Sequence, residues 1–317
     1  MTVRIRSYAP EDDPALVELE RLNHQGGAHP YYLERENFAA RAQQFAHHHL
    51  WVAEDDEQIV GYAALALKSV RVGNHLHTAG LLFDTGVHPD FRKQGIATQL
   101  AEMRDAYARE RGTRILYGMV NATDHDDLAF FQLRDAEIMR GMNIYTLIPQ
   151  PGRHHGDVTQ LPHAEHQPWV DQHYVGADLF VPGLYAALDP ERVAIYYLSV
   201  NDSWAAVSVI EMGSIYREVP LSREEDRLQY EDWMLFDLLV TGLGGPACLE
   251  QLIGHISAVA HETGIDRLVA PIDAAPGPVH DVLSQTMFNY RSRHVMVNAL
   301  GNPLPPLLRA YIDPRDH

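Results

Sequence analysis

Residues 87–97 read Val87-His88-Pro89-Asp90-Phe91-Arg92-Lys93-Gln94-Gly95-Ile96-Ala97, and the segments on either side decide the fold. Upstream, residues 81–87 form a mostly apolar run that predicts a buried strand. Downstream, Ile96, Leu100, Met103 and Tyr107 recur at the spacing of a helix burying one face, which predicts a helix running to Arg111. Gly95 lets the backbone turn closely under a ligand, and the first amides of the following helix have no intrahelical acceptors. A strand, a tight turn and a helix start in that order make an anion cradle suited to a diphosphate.

Outward from this segment the first half alternates strands and helices. A strand is predicted at 3–7, a helix at 10–20 with acidic residues in its first turn, and a second helix at 33–45. A hairpin follows, with strands at 49–53 and 58–67 around Glu54-Asp55-Asp56-Glu57. Beyond the central helix come a strand at 114–120, a helix at 126–133 and two short strands within 137–148. Alternation of this kind implies a layered α/β architecture. Residues 149–168 carry prolines, glycines and histidines with few large apolar residues, which places a boundary there, between a domain at 1–150 and another at 155–317.

The second half echoes the first. Leu82-Phe83-Asp84 recurs as Leu235-Phe236-Asp237, Gln99-Leu100 as Gln251-Leu252, Gly112 as Gly264 and Asn121 as Asp273, a displacement of 152 or 153 residues. A nearly constant offset points to tandem duplication of one fold. The copies diverge at the cradle. The second has Thr241-Gly242-Leu243-Gly244-Gly245-Pro246-Ala247-Cys248-Leu249, without Arg or Lys, and Pro246 removes an amide that would face a phosphate. The second copy is expected to keep the fold and to have lost the anion site.

Composition narrows the partners. The 317-residue chain has 43 acidic against 25 basic side chains and a formal charge of -18, which disfavours nucleic acid and anionic membranes. Residues of the apolar class make up 46%, enough for two cores, and no apolar run approaches the roughly 18 residues of a membrane span. One cysteine, Cys248, and a start lacking a signal-peptide core fit a cytoplasmic protein. Nineteen histidines invite a metal reading, but adjacent residues such as His47, His48 and His49 diverge on a helix or strand. Solvated histidines are expected, and no metal.

A strand, then Val-x-Pro-x-x-Arg-x-x-Gly-x-Ala, then a helix resembles the cofactor motif of the GNAT superfamily of acyl-CoA-dependent N-acyltransferases, with Asn121 downstream as further support. The resemblance spans residues 1–150. It implies two tandem GNAT-like domains, each a mixed, mostly antiparallel sheet flanked by helices with a splayed central strand pair. It implies acetyl-CoA as cofactor, its diphosphate on the amides of Gln94, Gly95, Ile96, Ala97 and Thr98, with Arg92 or Lys93 adding positive charge. Gly86 and Val87 would hydrogen-bond the pantetheine arm, and the Val87 amide would lie near the thioester carbonyl. Asn121 would touch the cofactor arm, or serve as a helix cap or turn.

Catalysis needs a group that takes a proton from the attacking ammonium and, optionally, one that protonates the departing thiolate. Where many relatives carry a tyrosine acid, this chain has Phe131, which leaves Phe131 a cofactor contact and Tyr117 and Tyr145 as substitutes, each with packing as its other reading. Asp84 matches a carboxylate that amine-acetylating relatives carry beside the site, although its recurrence as Asp237 also suits a structural role. The loop between the first two helices would wall the acceptor pocket with His29, Tyr31 and Tyr32, followed by Glu34. The expected reaction is direct transfer of an acetyl group to a small-molecule or peptide amine by a monomer or homodimer. The rivals are a non-catalytic acyl-CoA-binding or sensing protein, and a two-site enzyme whose second half binds something else.

Overall fold

The computed structural model describes residues 3–26, 30–152, 154–223, 229–300, 304 and 307–316. In chain order the first copy comprises β1 (Arg4–Ser7), α1 (Asp13–Leu22), β2 (Tyr31–Glu34), β3 (His47–Asp55), β4 (Gln58–Val72), β5 (His75–Val87), α2 (Ile96–Glu110), β6 (Ile115–Asn121), α3 (His125–Gln132) and β7 (Glu137–Leu147). The second comprises β8 (Thr159–Gln160), α4 (His163–His173), β9 (Val193–Val200), β10 (Ser203–Glu211), β11 (Arg217–Pro220), β12 (Asp232–Thr241), α5 (Gly245–Thr263), β13 (Arg267–Asp273), α6 (Pro278–Thr286) and β14 (Phe288–Ala299). Mixed strands and helices in two similar runs match the expected architecture.

Twelve strands form one sheet, ordered β1-β3-β4-β5-β6-β14-β7-β13-β12-β10-β9-β8. The last strand of each copy has crossed to the other: β7 pairs antiparallel with β13, and β14 pairs antiparallel with β6. The two exchanged strands also pair with each other. A small second sheet joins β2 to β11. The change of copy at residues 149–168 therefore does not separate two sheets, and part of that stretch folds as β8 and α4.

The duplication is plain in the backbone. Tyr62 faces Gly86 and Ala64 faces Phe83, so Asp84 and Thr85 share the single partner Ala63 in a β-bulge. In the second copy Ala206 faces Leu239 and Ser208 faces Phe236, giving the same bulge at Asp237. Both aspartates have left-handed backbones, φ 43° at Asp84 and 46° at Asp237, a conformation that Asp tolerates better than branched residues. The parallel pairing of β5 with β6 stops at Leu82 and Gly118, and that of β12 with β13 stops at Met234 and Val269. Past each stop the strands splay.

The largest core cluster crosses between copies, with Leu16, Phe38 and Tyr117 from the first and Ile195, Phe236 and Tyr311 from the second. On the opposite face, α2 packs Ile96 and Leu100 against Leu65 and Leu116, and α5 packs Leu249, Leu252 and Ile256 in its own copy. Each fully buried leucine contributes about 2 kcal/mol, so the helices are fixed mainly by these faces. Three local expectations fail. Residues 33–45 hold the end of β2 and two short 3-10 turns instead of a helix, residues 137–147 are one strand instead of two, and Met103 is exposed while Arg104 takes the buried position on α2.

Candidate functional site

The first splay opens onto the 87–97 segment. After β5 the chain makes a 3-10 turn at Pro89–Phe91, then passes through two left-handed residues, Lys93 at φ 60° and Gly95 at φ 82°, before α2 begins. Two left-handed residues so close together bend the backbone sharply just before the helix, where its first amides can meet an anion. The Gln99 amide donates to the Gly95 carbonyl at 3.0 Å, so the amides of Ile96, Ala97 and Thr98 precede the helix's own ladder. Residues 92–95 are exposed while the Ile96 side chain is buried. Arg92 braces the turn: Nε donates to the Val87 carbonyl at 3.1 Å and Nη2 to Asn23 Oδ1 at 3.1 Å. Lys93 extends from the same exposed turn.

The second copy has closed its equivalent. The Gly244 amide donates to Ser203 Oγ at 3.0 Å, the Gly245 amide donates to the Gly242 carbonyl at 3.1 Å, and Pro246 has no amide to offer. A Cβ on Gly242 would meet Ser203 Oγ at 2.5 Å, so the loop lies directly on that serine. Donors that face a free turn in one copy are consumed internally in the other.

Beside the first splay, Arg104 is 2% exposed, and its Nη1 donates to Thr85 Oγ1 at 2.8 Å while Nε has no partner among the described residues. Burial pushes its guanidinium down to about 10, still cationic near neutrality. Arg104 is not legible in the sequence, because the helical apolar stripe predicts Met103 at the buried face. Phe131 packs over Gly118, where a Cβ would stand 3.1 Å from the ring. Asn121 Oδ1 accepts from the Thr123 amide at 3.0 Å and from Thr123 Oγ1 at 2.8 Å, so its side chain shapes a turn. Tyr62 lies against Gly86, where a Cβ would clash with its ring and hydroxyl at 2.5 Å, which explains the glycine.

On the α1 side of β5 lies a buried charge cluster. Asp84 accepts from Arg35 Nη1 at 2.5 Å and Nη2 at 2.9 Å, and from Arg41 Nη1 at 3.0 Å, with its side chain 2% exposed. Burial alone would push this carboxyl up, but the two guanidiniums hold it below its ordinary value. A carboxylate so neutralised is a poor proton acceptor, and its bonds to Arg35 and Arg41 tie the bulge to the 33–45 segment. Glu20 on α1 accepts from the Tyr62 hydroxyl at 2.9 Å and stands 3.9 Å from Arg35. Burial pushes the Glu20 carboxyl up, and neighbouring Asp84 adds to the rise.

Tyr117 is fully buried, and its hydroxyl donates to Asp316 Oδ2 at 2.7 Å. Burial first, and then Asp316, push the phenol well above its ordinary range. Lys68 pairs with Asp313 at 2.8 Å and also with Asp316, while Arg41 Nη2 donates to the Asp316 carbonyl at 2.7 Å. The chain's last turn thus ties into the same face as Asp84.

The other expected residues do not converge here. Strand exchange carries Tyr145 into the second copy, where it faces Ala270 and Asn289 and its hydroxyl lies 3.0 Å from His280 Nε2. Tyr31 and Tyr32 are buried on β2, paired to β11, with Arg291 stacked 3.9 Å over the Tyr31 ring. Glu34 bonds Arg21 at 2.8 Å. Through the pairing of β2 with β11 all three lie where the copies meet, and Tyr31 borders a small cavity with Arg41, Arg267 and Arg293. His29 lies outside the described residues. Among the described residues no helix is long and apolar enough to cross a membrane.

Residues 14–134 match the model of the Acetyltransferase (GNAT) family. No curated protein matches the chain. Among solved structures, a tandem GNAT protein from the clavulanic acid biosynthesis pathway superposes with TM-score 0.61 at 13% identity, covering 95% of this chain and 100% of that one. N-myristoyltransferase of Saccharomyces cerevisiae with bound myristoyl-CoA gives TM-score 0.64 at 8% identity, with 98% and 84% covered. A GCN5-related N-acetyltransferase from Anabaena variabilis gives 0.54 at 11% identity, with 95% and 73% covered. At these identities the likeness is one of fold, and it extends over both copies.

Proposed function

Because residues 14–134 match the GNAT family model and the fold likeness extends over both copies, we propose that the chain is an N-acyltransferase whose first copy binds acetyl-CoA and whose acceptor is a primary amine. The observation that carries this reading is the contrast between the two cradles: free amides and Lys93 in the first, consumed amides and Pro246 in the second. The groups that suit a diphosphate are the amides of Gly95, Ile96, Ala97 and Thr98, with Lys93 beside them and Arg92 stiffening the turn. The splay leaves the edge of residues 83–87 without a β6 partner, so an extended amide-bearing arm can pair with it as an added strand. Gly86 and Val87 lie on that edge; Arg104 reaches it through Thr85, and Phe131 covers Gly118 where the pairing with β6 ends.

Direct transfer fits this chain because its one thiol, Cys248, is buried in α5 of the second copy. The proton carrier we favour is Glu20, whose affinity for protons burial raises, linked by the Tyr62 hydroxyl to the wall at Gly86. Asp84 keeps the position role that its two arginines give it. A bound thiolate is a tolerable leaving group without a dedicated acid, so Phe131 is no obstacle.

The test is acetyl-CoA binding by calorimetry followed by turnover on a panel of amines. Gly95→Pro, which cannot adopt the left-handed backbone, should abolish binding, and Lys93→Glu should weaken it about tenfold while leaving the fold intact. Absence of binding by the native protein overturns the proposal. Binding without turnover across the panel supports the non-catalytic acyl-CoA-binding reading, which the ion-paired Asp84 and the Phe131 position favour.

A further inference from the structure

The second splay holds a cavity of about 430 Å³ between β12 and β13. Its walls are mostly apolar, with Phe236, Leu238 and Val240 from one strand, Ile272 from the other, and Leu308 and Ile312 from the C-terminal segment. Asp237 and Tyr311 line it as well. Asp237 is 4% exposed, and one of its oxygens, Oδ2, accepts from the Tyr185 hydroxyl at 2.7 Å. The other, Oδ1, makes no hydrogen bond of ordinary geometry among the described residues; the buried Tyr311 hydroxyl beside it is a neutral donor that eases the carboxylate without neutralising it.

The duplication gives this carboxylate a reference. Asp84 sits at the same bulge with the same backbone and is neutralised by two arginines, whereas the hydrogen bond to Asp237 comes from a neutral hydroxyl. Tyr185 is itself linked to Ser208 at 2.5 Å, and Ser208 to His166 at 3.3 Å, so this chain of hydrogen bonds brings no cation, and the charge acting from that helix is another carboxylate, Asp171. Asp313 is already committed to Lys68 and Arg315. At the mouth, Asp273 is paired with Arg140, and exposed Arg309 bonds His173 Nε2 at 3.1 Å and lies over the Tyr174 ring. Burial pushes the Asp237 carboxyl up to about 7, the cost of an anion without a counter-ion.

We infer that the second copy's cleft is a binding site for an amphipathic amine, its ammonium paired with Asp237 and its apolar body against Phe236, Leu238 and Ile272. The ligand's cation takes the place that Arg35 and Arg41 fill in the first copy. The site stands apart from the acyl-CoA cleft and does not depend on the acyl-transfer reading. A cavity of this volume accommodates a primary amine carrying a six- to eight-carbon chain or an aromatic ring, at the small end of ordinary ligand pockets, about 300–1,000 Å³.

Calorimetry with n-hexylamine, n-hexanol and hexanoate on the full chain tests this, without acetyl-CoA. Hexylamine should bind and the other two should not. Asp237→Asn, which keeps the shape and one acceptor, should weaken hexylamine binding about 10- to 100-fold. Ala275→Trp, which fills the mouth of the cleft, should abolish it. Circular dichroism of both variants confirms that the fold persists. Equal binding of hexanol, or amine binding that survives Asp237→Asn, overturns the inference; survival would place the amine in the first copy instead. No hexylamine binding to the native protein also overturns it.

Discussion

Asp84 and Asp237 occupy one backbone position twice, and what surrounds each determines its behaviour. Asp84→Asn leaves Arg35 and Arg41 buried against a neutral amide and should cost about 3–5 kcal/mol, read as a drop in denaturant midpoint. A loss under 1 kcal/mol would show that the arginines find other partners. Asp237 carries the opposite sign. Its folded carboxyl, at about 7, binds a proton more tightly than the unfolded chain does, so its contribution to stability falls as pH rises from about 4 to 7. Asp237→Asn removes that term, and its melting-temperature advantage over the native protein should grow between about pH 5 and pH 8. A difference that stays flat with pH would sink the assignment. The repeat of Leu-Phe-Asp is visible in the sequence, and so is the oddity of an aspartate within a strand. The arginines are not, because they come from 43 and 49 residues upstream through a tertiary contact that no local pattern announces.

At the scale of elements, the segments read correctly are those whose pattern serves their own local burial. The anion turn and the start of α2 were legible because glycine, a helix start and an apolar strand each have a local cause. Residues 33–45 were not: Leu33, Phe38, Ala39, Ala42 and Phe45 are all buried, but they reach the core from a strand end and two turns, with Asn37 capping the first at 2.8 Å. Spacing of burial looked helical while the backbone was busy delivering Arg35 and Arg41 to Asp84. Likewise α2 buries Arg104 because Thr85 is there to receive it, a fact outside the helix's own period. The closed second cradle gives a local test. Ser203→Ala removes the acceptor of the Gly244 amide and should cost about 1 kcal/mol in chemical denaturation, without conferring acetyl-CoA binding. Acetyl-CoA binding gained by that variant would contradict the view that the second loop lacks charge and geometry as well as free donors.

At the scale of the molecule, exchange of β7 and β14 turns two copies into one twelve-stranded sheet and sends Tyr145 away from the residues it was expected to join. A repeat in sequence implies two similar folds; it carries no signal for which strand completes which half. The C-terminal segment adds a second link, since Leu308 to Ile312 border the second cleft while Asp313 and Asp316 hold Lys68, and Asp316 also accepts from Tyr117. Asp316→Ala leaves Tyr117 and Lys68 short of a buried partner, and should lower the melting temperature of the whole chain in a single transition. Two resolved transitions would mean that the copies unfold independently despite the shared sheet. The claim on which the functional account rests is that only the first copy retains a diphosphate cradle, and its most direct test is the stoichiometry of acetyl-CoA binding by calorimetry. One equivalent per chain is expected, lost in Gly95→Pro; two equivalents, or one that persists in Gly95→Pro, would overturn that claim.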